Sequence, residues 1–263
     1  IKRKLINGSI PFNNNKKSLM ALSSGIGGDI HKWVDFDTIY ANDIDPKNIG
    51  ESKDKNERSL WSRINNIKKQ NKDFKYKTFI PTVSDMSDSK LIEHKSLIDA
   101  KVDVITIFFS IHYIFNKKQN IINLFNNIKH FLKPNGYCLI TTFDGNKVFN
   151  ILNQSINKNK DETKYIEKKD NDGNLIYKIE MTKKYLEKMK KYKKLPDNDD
   201  CINFPINVTY ETFGKQTEYL VNPTYLTNLA KLYGLEIITQ DELYKDFDKT
   251  IFINGSDTFD NIS

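Results

Sequence analysis

The sequence has only two cysteines, Cys138 and Cys201, and neither belongs to a Cys-x-x-Cys pair. That excludes a zinc ribbon and a disulfide framework, and it predicts a reducing compartment. The four histidines, His31, His94, His112 and His130, are scattered without a ligand spacing, so no metal centre is expected. No apolar run is long enough to cross a bilayer. The longest, Val102 to Phe115, is interrupted by Asp103 and His112 and reads as a buried strand running into a loop. No apolar signal core follows the opening Ile1-Lys2-Arg3-Lys4, so secretion is not expected. A start methionine is missing as well, and the chain reads as a piece of something longer. Arginine is scarce: Arg3, Arg58 and Arg63 stand among 41 basic residues.

What is present describes a folded chain with a basic surface. At 263 residues and 30.7 kDa it can bury a full core as one large domain, or as one domain with an insert. Charged residues at 29% and a mean hydropathy of −0.60 exclude a polytopic membrane protein, while 38% hydrophobic residues exclude a wholly disordered one. The net charge of +7 is carried by lysine and suits a polyanion such as RNA. An AT-rich coding sequence would give the same abundance of Lys, Asn and Ile, so charge alone leaves the partner open.

Along the first half, apolar strand signals alternate with helix signals. Strands are predicted over Ser18–Leu22, Asp37–Asn42, Tyr76–Ile80, Val102–Phe109 and Tyr137–Thr142. Helices are predicted from Asp29 to Val34, Pro46 to Gln70, Ser87 to Leu97 and Lys117 to Leu132. The last of these carries Ile121, Ile122, Phe125 and Ile128 on one face. Such β-α-β-α order gives a parallel sheet with helices on both faces, which binds ligands beyond its C-terminal strand ends. From about Ser155 to Phe213 the chain is Lys-dense and reads as an insertion over the sheet. A hairpin is predicted there at Asn171-Asp172-Gly173-Asn174. Beyond it a strand at Gln216–Val221, a helix at Thr224–Tyr233 and strands at Leu235–Thr239 and Thr250–Ile253 are expected.

The chemistry-bearing residues cluster at the strand ends. Ser23-Ser24-Gly25-Ile26-Gly27-Gly28-Asp29 follows the first strand, where glycines admit a close ligand, or merely form a tight turn. Without a Gly-Lys-Ser/Thr it is no triphosphate cradle. Asp43 ends the second strand, where a carboxylate accepts hydrogen bonds from both ribose hydroxyls; Asp45 is placed to cap the next helix. After the third strand, Asp85 or Asp88 can read an adenine amino group, or cap a helix. His112 and Tyr113 follow the fourth strand, as core or as pocket lining. Glu218 opens Glu218-Tyr219-Leu220-Val221, where a carboxylate can accept from guanine N1 and N2 hydrogens. Acids after strands two and three beside a glycine turn, with no phosphate-binding residues, suit S-adenosylmethionine better than NAD or ATP.

Together these segments resemble the mRNA cap guanine-N7 methyltransferases. Leu22 to Trp33 looks like their glycine-rich motif, Phe109 to Phe115 like their His-Tyr-x-Phe motif, and Glu218 to Val221 like their late Glu-Tyr-Leu-Val strand. Lys2-Arg3-Lys4-Leu5-Ile6 is similar to their opening Lys-x-x-Leu-Ile helix. Leu139 to Gly145 and Phe252 to Gly255 look most like the large-DNA-virus branch of poxvirus, asfarvirus and mimivirus-like capping enzymes. The resemblance implies a Rossmann-like class I S-adenosylmethionine-dependent methyltransferase fold, one domain over 1–263 with an inserted Lys-rich lid. It also implies that Lys2, Gly25, Gly27, Asp29, Asp43, Asp85 and Phe109 hold S-adenosylmethionine, and that His112, Tyr113, Phe143 and Glu218 line a cap guanine site. Implied partners are capped RNA, upstream triphosphatase and guanylyltransferase domains and a stimulatory subunit, with no membrane; the implied setting is cytoplasmic, in a viral factory or virion. The sequence departs from the family pattern at Ala21 (an acid), Ser23 (a glycine), Ile26 (a lysine) and Phe108 (a glutamine). Guanine N7 is itself an unprotonated nucleophile, so no acid-base residue is expected. Two other readings share this fold: a methyltransferase of another substrate, and a non-catalytic RNA-binding module.

Overall fold

The apolar runs of the first half become the strands of one mostly parallel sheet. A computed structural model describes residues 2–10, 16–52, 58–156, 164–181, 183–210, 214–238 and 242. Two compact units are distinguished, one of residues 1–108, 126–140 and 236–263, the other of residues 109–125 and 141–235.

The first unit opens with α1 (Lys2–Gly8) and continues through β1 (Ser18–Leu22), β2 (Thr38–Asp43), α2 (Pro46–Ile49), α3 (Leu60–Gln70), β3 (Thr78–Val83) and β4 (Val102–Phe108). The next two elements, α4 (Lys118–Phe131) and β5 (Leu132–Thr141), each contain a boundary between the units. Strand order is β3-β2-β1-β4-β5, with β1 parallel to both β2 and β4, and β2 parallel to β3. The order reverses at β1, which makes the C-terminal ends of β1 and β4 the switch point where such sheets bind ligands. All five β1 residues are buried, as a central strand covered on both faces requires. Trp33, Phe36, Leu60, Ile64 and Phe74 fill the core against Leu19, Ile39 and Val104. At the opposite strand end, buried Asp103 accepts hydrogen bonds from the Ser18 N–H (2.8 Å) and Oγ (2.9 Å) and from Lys133 Nζ (2.9 Å). These contacts outweigh the cost of burial and hold its carboxyl below the usual range.

Three predicted helices are shorter in the structure, for local reasons. Pro46–Gln70 is two helices: Asp45 caps α2 through the Lys47 N–H (2.9 Å), and Gly50, at φ +67°, ends it. A second cap, Ser59 Oγ, accepts from the Ser62 N–H (3.3 Å) and starts α3. Within Ser87–Leu97 only a 3-10 turn at Leu91–Glu93 forms. There the Asp85 and Asp88 side chains accept the Ser87 and Lys90 backbone N–H groups and close local turns instead of a helix. Asp29–Val34 likewise holds a 3-10 turn, Ile30–Lys32. In α4 the buried stripe is Ile121, Leu124, Phe125, Ile128 and Phe131; Ile122 lies off the i, i+3, i+4, i+7 spacing and is half-buried.

The second unit is built on an antiparallel sheet of β6 (Lys164–Lys169), β7 (Leu175–Met181), β8 (Pro205–Tyr210) and β9 (Gly214–Tyr219), in that order. It also holds α5 (Gly145–Ile156), α6 (Lys183–Lys190) and α7 (Pro223–Leu232). The predicted hairpin joins β6 and β7: Asp170 accepts the Asp172 and Asn174 N–H groups, and Gly173 turns the chain at φ +84°. Strand β8 was not anticipated, although Ile206, Val208 and Tyr210 alternate with Asn207 and Thr209. Residues 235–238 form no strand, and Ile237 and Ile238 are exposed; Thr239 and the 250–253 segment lie outside the described residues. Among the described residues no helix is long and apolar enough to cross a membrane.

Candidate functional site

In the first unit, the loop after β1 is fastened to the end of β2. Asp43 Oδ2 accepts the Gly25 N–H at 2.7 Å, while Oδ1 accepts the Asp45 N–H and Asn48 Nδ2, each at 3.0 Å. These partners of Asp43 are not legible from the sequence. Its buried carboxylate orders the glycine turn, with lone-pair capacity left for a ligand hydroxyl. Gly27, at φ +80°, packs so tightly that a Cβ would come within 2.6 Å of Leu60 Cδ1. Beside Gly25 the space is open: a built Cβ meets nothing within 4 Å, so a ligand can approach the backbone there. Ser23 takes φ +64°, a left-handed conformation that accounts for the glycine resembling proteins carry there.

Asp29 lies between two lysines, with Lys2 Nζ 2.9 Å from Oδ2 and Lys32 Nζ 2.6 Å from Oδ1. Burial opposes its ionisation, and the hydrogen bonds from Lys32 and Lys2 outweigh burial and hold its carboxyl below the usual range. Lys2 also lies 5.2 Å from the centroid of the Phe108 ring. An ammonium and a carboxylate here match the zwitterionic α-carbon end of an amino acid. Asp85 Oδ1 is occupied by the Ser87 N–H and Oγ, both at 2.8 Å. Lys32 and Asn48 escaped the sequence reading; each belongs to the turn next to the acid it contacts.

In the second unit, a 3-10 turn at Ile111–Ile114 presents His112 and Tyr113 to β9. His112 Nε2 stands 3.6 Å from Glu218 Oε2, and both residues are only 4% exposed. Burial lowers the imidazole to about 4 and raises the Glu218 carboxyl to about 7. The imidazole is therefore neutral near pH 7, and the two groups form no charged pair. Neither ring nitrogen of His112 has a hydrogen-bond partner among the described residues. The His112 ring lies 4.3 Å from Tyr113 and 5.2 Å from Phe143, centroid to centroid. Gly145 fixes the Phe143 segment, since it approaches Val221 so closely that a Cβ would lie 2.3 Å from the Val221 carbonyl oxygen. Tyr113 Oη is 2.8 Å from Gln216 Oε1, to which it donates. Gln216 was missed, although period two along β9 puts it on the Glu218 face. His112 thus brings Tyr113, Phe143 and Glu218 together within this unit.

Phe109 also belongs to the second unit. Its φ of +54° is unusual for a bulky residue, and the residue is 51% exposed just after β4.

Residues 1–259 match the family described as the mRNA (guanine-N(7))-methyltransferase domain. The chain belongs to this family. It is 28% identical over 250 residues to the probable mRNA-capping enzyme of Acanthamoeba polyphaga mimivirus, a match covering 87% of this chain and 20% of that protein. The methyltransferase domain therefore spans about a fifth of that relative's length. Among solved structures it is similar to the CcbJ methyltransferase of Streptomyces caelestis, with a TM-score of 0.53 at 11% identity, over 90% of this chain and 84% of that one. A S-adenosylmethionine-dependent methyltransferase of Clostridium acetobutylicum gives a TM-score of 0.49 at 14% identity, over 90% and 79%. The fold is the Rossmann-like class I methyltransferase fold.

Proposed function

We propose that this domain transfers a methyl group from S-adenosylmethionine to N7 of the guanine cap of mRNA, converting GpppN-RNA to m7GpppN-RNA. The observation that carries the reading is a buried carboxylate, Glu218, enclosed with aromatic rings and a neutral imidazole. A guanine edge offers two N–H donors to such an acceptor. On the donor side, Asp43 is suited to ribose, the Gly25 backbone to close approach, and Lys2 with Asp29 to the amino-acid end. The donor supplies a methyl group on a positively charged sulfur. The residues of this chain bind, orient and exclude water. No residue needs to remove a proton, because the N7 lone pair is free, so acceleration comes from alignment and electrostatics.

Further domains with the preceding capping activities, a stimulatory subunit and a cytoplasmic viral setting accord with this reading and with the length of the mimivirus relative. The test is methyl transfer to RNA capped with GpppA against the same RNA capped with ApppA. Transfer to the first at least a hundredfold faster supports the reading, since a site built on hydrogen bonds rejects a base that leaves its buried groups unpaired. Equal transfer to both, or transfer to neither, contradicts it.

A further inference from the structure

The Glu218 face of the antiparallel sheet continues beyond the guanine pocket. Along β9, Glu218, Gln216 and Gly214 alternate onto one side, and their register partners on β8 are Ile206, Val208 and Tyr210. On β7 the matching residues are Met181, Ile179 and Tyr177, and Lys168 of β6 pairs with Tyr177. This face is closed at one end and open at the other: Met181, Ile206, Val208 and Glu218 are at most 4% exposed, whereas Tyr210 is 40% and Tyr113 42% exposed. The open end is one cross-strand row of lysine, tyrosine, tyrosine and glycine. Beside Gly214 a built Cβ meets nothing within 4 Å. Tyr113, held by Gln216, stands between this row and the Glu218 pocket. Burial first, and then the longer-range charge of Glu218, push the Tyr113 and Tyr210 hydroxyls up. A pair of tyrosines in one cross-strand row, with open space beside Gly214 and a lysine at the other end, is the composition of a single-stranded nucleotide platform.

We infer that the Tyr177–Tyr210 row is a second base-stacking site, which takes the first transcribed nucleoside of capped RNA while Lys168 meets its phosphate. The inference rests on the guanine reading of Glu218. Four residues along β9 separate the rows, on the order of 13 Å, a span that the triphosphate bridge between two nucleosides can follow.

The test compares binding of GTP, which has no second nucleoside, with binding of GpppA by the purified chain. Wild type is expected to bind GpppA about tenfold more tightly than GTP. Tyr210→Ala should abolish that advantage and leave GTP binding unchanged, while Tyr210→Phe should preserve it. Wild-type affinities that are equal, or a Tyr210→Ala variant that keeps the advantage or weakens both ligands alike, would overturn the second site. A Glu218→Gln variant separates the two ideas: if it binds GTP as wild type does, the guanine reading itself has failed.

Discussion

Glu218→Gln is expected to raise the KM for capped RNA about a hundredfold and to leave the KM for the methyl donor within about twofold. Glutamine keeps the shape, yet it replaces one acceptor oxygen with an NH2 that faces the guanine donors. The environment of Glu218 adds a pH signature. Its carboxyl stands near 7, while the neighbouring imidazole stays neutral down to about 4. Cap binding needs the ionised carboxylate, so wild-type affinity should fall about tenfold between pH 8 and pH 6. In Glu218→Gln that slope should vanish. Stability moves the other way. The folded state holds the Glu218 proton up to about pH 7, against 4.5 for an ordinary glutamate, so the group contributes less to stability as pH rises through that window. At pH 8 the glutamine variant should be more stable, by roughly 1–3 kcal/mol. Thermal unfolding beside steady-state kinetics reads both effects. An unchanged KM for capped RNA would remove Glu218 from the acceptor site.

Asp43→Ala is expected to weaken donor binding at least tenfold and to lower the unfolding free energy by about 3 kcal/mol. The stability loss follows from three hydrogen bonds to one buried carboxylate, from the Gly25 N–H, the Asp45 N–H and Asn48. The binding loss follows because the same carboxylate shapes the glycine turn. Asp43→Asn should fall between the two: its oxygen can keep the Asp45 and Asn48 contacts, but its NH2 cannot accept from Gly25. Urea unfolding and titration calorimetry with S-adenosylmethionine measure the pair. A variant that is folded, destabilised and still of full donor affinity would confine Asp43 to a structural role.

Much of the fold was legible because strand signals are local. The apolar run at Val102–Phe108 and the hairpin at Asn171–Asn174 state their structures in adjacent residues. Helix lengths were less legible, since Gly50 and the Asp85 and Asp88 turns act at single positions inside otherwise helical patterns. The site divides the same way. His112, Tyr113 and Glu218 could be named from motifs, but their environment could not. That Glu218 is desolvated, that Gln216 receives the Tyr113 hydroxyl and that Lys32 shares Asp29 with Lys2 all depend on contacts between distant residues or on how a turn closes. The Tyr177–Tyr210 pair needs the register of three strands before it becomes a surface.

The most direct measurement is the position of the methyl group. The chain is incubated with methyl-labelled S-adenosylmethionine and GpppA-capped RNA, the product is digested to nucleosides, and the labelled nucleoside is identified by mass spectrometry. The expected result is 7-methylguanosine from the cap and no other labelled nucleoside. Label on a ribose hydroxyl, on an exocyclic amine or on an internal base would contradict it.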